Sequence, residues 1–158
     1  MKGKHFRYTA IKLGLVIFVV LFYAFCQSFF VDSKKNVILT IQGDASQLTV
    51  IEKDVGKYEI RIRPSDNPRF SIFGSKIVAQ QRFGTTVLQI YRWSKTQDYY
   101  LFMVSDEEID VKDSLGTVFY KYELPQNMGY VNYYAYLSGV DNVYELTVNG
   151  ETYIINLL

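Results

Sequence analysis

Five carboxylates, Asp106, Glu107, Glu108, Asp110 and Asp113, fall within eight residues. Such a run could hold calcium. A calcium loop wants oxygen ligands at alternate positions and a glycine at its tight turn. Lys112 follows Glu108 and Asp110 and breaks that order, so the acidic run reads as a solvated turn and strand edge, with some share in contacting a partner. Paired carboxylates can also cleave glycosides, but nothing in the spacing singles out a pair. Metal is therefore not expected, and neither is a cofactor.

The other chemistry-bearing types are scarce. The one histidine is His5 and the one cysteine is Cys26, both near the amino terminus. The rest of the chain thus has no imidazole base, no thiolate nucleophile and no soft ligand for zinc. A Ser-His-Asp arrangement is excluded there. No glycine-rich phosphate loop follows a strand. The sequence reads as non-enzymatic.

Basic and aromatic residues are the remaining candidates. Arg61 and Arg63 share one face of an alternating segment. The favoured reading pairs such basic strands with acidic ones inside the fold; docking of another protein and contact with lipid headgroups are the alternatives. Tyr130, Tyr134 and Tyr136 fall on one parity of a strand, with Val131, Tyr133, Ala135 and Leu137 on the other. The second set suits a core. The tyrosines either pack on cross-strand neighbours in a two-sided sheet or form an exposed stripe of a kind enriched at interfaces. With Asp106, Glu107 and Glu108, these arginines and tyrosines make up the candidate interaction surface.

Charge is distributed unevenly. Residues 32–95 carry eleven basic and six acidic side chains, and residues 96–158 carry two basic and ten acidic. The net negative balance beyond residue 31 argues against nucleic-acid binding, which needs a basic surface.

Strands must position these groups. Twelve of the fourteen tyrosines lie beyond Val31, and β-branched residues are frequent there. Alternation predicts strands over 37–42, 48–52, 57–63, 69–73, 76–82, 85–92, 117–124 and 130–137. In 57–63, Tyr58, Ile60 and Ile62 fall on one face; in 117–124 the inner face is read as Val118, Tyr120, Tyr122 and Leu124. Residues 99–104 (YYLFMV) are apolar on both parities, which predicts a central strand covered on both faces. Asn149-Gly150 between 143–148 and 151–157 is a hairpin signal. A two-residue loop there pairs Val148 with Glu151, Leu146 with Tyr153 and Tyr144 with Ile155.

The amino-terminal stretch differs in kind. Residues 13–31 (LGLVIFVVLFYAFCQSFFV) carry no charge, and as a helix they would extend roughly 28 Å. Leu13, Val16, Phe18, Val20, Phe22, Phe25, Phe29 and Phe30 are its bulky apolar members. Lys2, Lys4, Arg7 and Lys12 precede it. The positive-inside tendency then places the amino terminus in the cytoplasm and the remainder outside. A cleaved signal peptide ending near Ala24-Phe25-Cys26 and a lipidated Cys26 are alternatives. The apolar run continues past Cys26, which favours an uncleaved anchor.

The sequence thus predicts an all-β extracytoplasmic domain of about ten antiparallel strands, a sandwich or meander barrel, preceded by a single transmembrane helix. Its parts are a basic tail (1–12), a signal-anchor (13–31), a short linker (32–36) and the β-domain (37–158). The role expected is docking onto a protein partner in the cell envelope as an accessory or assembly subunit. The alternatives are a domain binding lipid, glycan or peptide, and an inhibitor or immunity protein with an acidic face. A pocket lined by aromatics would favour ligand binding, and a filled core with a flat exposed stripe would favour docking.

Overall fold

A computed structural model describes residues 16–23, 37–65, 75–93, 96–126 and 129–157. The chain divides into two compact units, Met1–Ser33 and Lys34–Leu158. In the first, residues 16–23 are helical. Val16, Phe18, Val20 and Phe22 lie on this helix, all exposed; the rings of Phe18 and Phe22 stack at 6.1 Å. Leu13, Phe25, Phe29 and Phe30 lie outside the described residues. Among the described residues no helix is long and apolar enough to cross a membrane.

The second unit is all-β. In chain order its strands are β1 (Val37–Gln42), β2 (Ser46–Asp54), β3 (Lys57–Pro64), β4 (Ser75–Phe83), β5 (Thr86–Trp93), β6 (Tyr99–Ser105), β7 (Val111–Asp113), β8 (Tyr120–Tyr122), β9 (Val131–Leu137), β10 (Val143–Val148) and β11 (Glu151–Asn156). They form three antiparallel sheets: β1-β2-β3, a central β4-β5-β6-β9-β8, and β11-β10-β7. The strand expected over 69–73 lies outside the described residues.

Two apolar clusters explain the layering. Ile41, Leu48, Val50 and Ile62 of the first sheet pack on Trp93, Tyr100 and Phe102 of the central one. On the opposite face Leu88, Ile90, Leu101, Met103, Ala135 and Leu137 meet Tyr144, Leu146, Val148 and Ile155 of the third. β6 therefore alternates between two cores, as its double apolarity predicts: Leu101 and Met103 serve one, Tyr100 and Phe102 the other. Burying each such side chain removes about 1.5–3 kcal/mol of hydration cost. The sandwich has three layers.

The terminal hairpin has the register its turn dictates, with Val148 opposite Glu151, Leu146 opposite Tyr153 and Tyr144 opposite Ile155. Asn149 (φ 50°) and Gly150 (φ 85°) both take left-handed backbone, as a type I′ turn requires.

The segment 117–124 departs from expectation. Only Tyr120–Tyr122 is strand, and Val118 and Tyr120 are exposed rather than inward. Just before it, Asp113 Oδ1 accepts the backbone N–H groups of Leu115 (3.1 Å) and Thr117 (2.8 Å) in a turn, and three residues then pair with β9 at the edge of the central sheet. In β4 a bulge between Ile77 and Ala79 shifts the alternation, so Val78 is buried and Ile77 exposed.

Candidate functional site

Where the first sheet meets the central one, a cleft of about 460 Å³ opens. One wall is Val50 of β2 with Tyr58, Glu59 and Ile60 of β3; the other is Gln89 and Tyr91 of β5, Tyr122 of β8 and Leu124. Strand alternation puts Tyr58 and Ile60 toward the core. The Glu59 carboxylate is held by Arg61 (Nε–Oε1, 2.7 Å) and Lys53 (3.0 Å), and the Arg61 hydrogen bond is the main reason its pKa lies below the usual carboxylate value.

The rings of Tyr91 and Tyr122 pack on the buried Phe102. Phe102 meets Tyr91 edge-on at 5.8 Å and Tyr122 at 6.1 Å. Tyr91 donates its hydroxyl to Gln89 Oε1 at 3.0 Å. Burial raises the pKa of Tyr91. Tyr122 is pushed up to about 12, by burial first and then by the nearby Tyr91 and Tyr58. These phenols are neutral hydrogen-bonding groups near pH 7, not bases. Among the described residues the buried hydroxyl of Tyr58 has no partner, nor has either polar atom of the Asn132 amide. Asn132 is 2% exposed and lies directly opposite Tyr122, so both side chains project from the same face of the central sheet.

A second polar cluster lies between the same two sheets. The buried Asp98 accepts at Oδ2 from Ala45 N (3.0 Å), Ser46 N (2.7 Å) and Ser46 Oγ (2.6 Å). Tyr136 donates to its Oδ1 at 2.8 Å and accepts from Asp44 N at 3.0 Å. The hydroxyls of Ser46 and Tyr100 lie 2.8 Å apart. At Gly43 a Cβ would come within 2.5 Å of the Tyr100 hydroxyl and 2.9 Å of Asp98 Oδ2, so the turn approaches this closely only because it has no side chain there. A carboxylate engaged by four donors has little capacity left for substrate. It clasps the β1–β2 turn to the central sheet. The pattern that could have revealed it is an aspartate at the entry of an apolar strand, but its donors are distant in the chain, Ala45 and Ser46 far before it and Tyr136 far after it.

Burial raises the pKa of Tyr100, Tyr136 and Tyr144 as well. Unfolded tyrosines ionise near pH 10, while the folded protein retains these protons. The unfolded state therefore loses protons first, and stability present below about pH 10 falls as pH rises above it. Urea midpoints at pH 8 and 11 test this. A midpoint that did not drop at pH 11 would contradict the burial of these phenols.

The remaining candidates are dispersed. Tyr130 is exposed, while Tyr134 and Tyr136 are half-buried. Tyr134 stacks on Tyr120 at 5.3 Å and meets Tyr122 at 5.8 Å, and Tyr136 sits 5.6 Å from the Tyr100 ring. The first sheet covers much of this face. Arg61 and Arg63 belong to β3, whose sheet neighbour is β2. Arg61 pairs with the carboxylate of Glu59 on the same strand. Asp106, Glu107 and Glu108 follow β6, exposed. Asp106 accepts from Thr85, and Glu108 pairs with Lys121. Asp110 pairs with Lys112 at 2.8 Å, and Asp113 Oδ2 accepts from Tyr144 at 2.9 Å. Among the described residues no group of three acidic, histidine or cysteine side chains is placed to hold a metal ion.

No family model matches the chain, no curated protein is significantly similar to it, and no solved structure matches its fold.

Proposed function

We propose that this chain is a non-enzymatic binding protein of the cell envelope, anchored by residues 13–31, whose extracytoplasmic β-domain holds a small ligand in the tyrosine-lined cleft. One observation carries the binding assignment. Three tyrosines from three strands, Tyr58, Tyr91 and Tyr122, line one cleft, and among the described residues the buried hydroxyl of Tyr58 finds no partner. Ligand sites combine apolar walls with a few placed polar groups in this way. The uncharged run 13–31 behind four basic residues supports the anchor. After alkaline washing of membranes the full-length chain should stay in the pellet. Protease added to the outer side should digest the β-domain. Release into the supernatant, or full protection from outside, would sink the anchored topology.

Docking onto an envelope protein as an accessory subunit is the second reading. It is favoured by the exposure of Val118, Tyr120 and Tyr130 around the short edge strand β8, since such edges accept pairing and aromatics anchor interfaces. A photo-crosslinking residue at Tyr120 should then trap one reproducible membrane partner.

A further inference from the structure

Taking the ligand-binding reading as its basis, we propose that the cleft is a saccharide site, seating a neutral, hydroxyl-rich sugar against Tyr91 and Tyr122 with its hydroxyl groups bonded to Tyr58 and Gln89. Three observations lead to this class. The first is polarity. A buried polar group without a partner costs about 1–3 kcal/mol, and such groups in a native fold call for an unseen partner. The hydroxyl of Tyr58, a residue of the cleft wall, leaves both its donor and its acceptor capacity unfilled among the described residues. A sugar hydroxyl donates and accepts at one atom, so it can satisfy either. A lipid chain can satisfy neither.

The second is charge. Among the described residues the cleft is lined by no lysine, arginine or histidine, and the one acid among them, Glu59, already holds Arg61 and Lys53. An anion such as phosphate or an acidic sugar has no counter-charge there. A quaternary ammonium would find aromatic rings but would leave the buried hydroxyl unpaired. The third is shape. The volume of about 460 Å³ lies within the roughly 300–1,000 Å³ range of small-molecule sites. Flat apolar rings with hydroxyls at their edges match the apolar faces and polar rims of a pyranose.

The test uses the full-length chain in a polyoxyethylene detergent, because glycoside detergents would themselves compete. Maltotriose, cellotriose and triacetylchitotriose are titrated separately by calorimetry, with tetramethylammonium and inorganic phosphate as comparison probes. At least one trisaccharide should bind saturably. Tyr58→Phe should weaken it about five- to tenfold, one hydrogen bond's worth, with an unchanged or higher melting temperature because the hydroxyl has no partner in the free fold. Tyr91→Ala should weaken it further. Binding that ignored both substitutions would overturn the assignment to this cleft. If only tetramethylammonium binds, and Tyr91→Ala removes it, the saccharide class falls and the cleft remains a binding site. If no probe binds, both the class and the ligand-binding reading fall.

Discussion

Replacing Asp98 with alanine should destabilise the β-domain by about 3–5 kcal/mol, the cost of stripping a buried charged acceptor from its donors. The substitution orphans the Ala45 and Ser46 N–H groups and deprives the Ser46 and Tyr136 hydroxyls of their acceptor. The two Ser46 groups do not reach water easily, since Ser46 is fully buried. Against a total stability of about 5–15 kcal/mol for a domain, that loss would be visible as a much lower urea midpoint. Asp98→Asn should cost less but not little, because an amide places donors where the turn already presents donors. A loss below about 1 kcal/mol for Asp98→Ala would mean that water or a rearranged turn replaces the carboxylate.

Leu101→Ala and Phe102→Ala are the second pair of large effects. Leu101 is 0% exposed and Phe102 5%, and as neighbours on β6 they face opposite ways. In a two-layer sandwich one of two such neighbours faces solvent, and its truncation typically changes stability by less than about 0.5 kcal/mol. In three layers both are core. Leu101→Ala should cost about 2–5 kcal/mol and Phe102→Ala about 3–5. Equilibrium unfolding of each single variant decides the matter. A near-neutral result for either would remove one of the covering sheets.

Much of this architecture could be read locally. β1 spans the residues its composition predicts, the terminal hairpin keeps the register set by Asn149-Gly150, and β6 shows its double burial in its own seven residues. These features depend on alternation and turn chemistry, which one segment carries entirely. Other features needed distant partners. The bulge in β4 exposes Ile77, a residue whose type suits a core. Tyr120 follows the inward parity yet is exposed, because its short strand β8 lies at the edge of the central sheet. Arg61 pairs with a carboxylate two residues away, a contact that costs no loop closure. The cleft is the least local feature, since its walls come from β2, β3, β5 and β8. Tyr58 and Tyr122 each looked like ordinary inward residues of their strands. Nothing in either segment indicated that they would face a common opening.

The order of strands in the sheets also has a kinetic side. Six of the eight sheet pairings join strands consecutive in the chain; the two that do not are β6 with β9 and β7 with β10. Consecutive hairpins close short loops and can form early, whereas the other two must wait for distant segments. Until β9 arrives, β6 has one free edge. It is also an uncharged seven-residue strand (YYLFMVS), apolar on both faces and free of proline. Such a segment is prone to cross-β self-association. The same double apolarity that makes β6 the middle of the finished sandwich makes it the sticky point of the unfinished one, so the hazard of aggregation is concentrated in the interval before β9 docks.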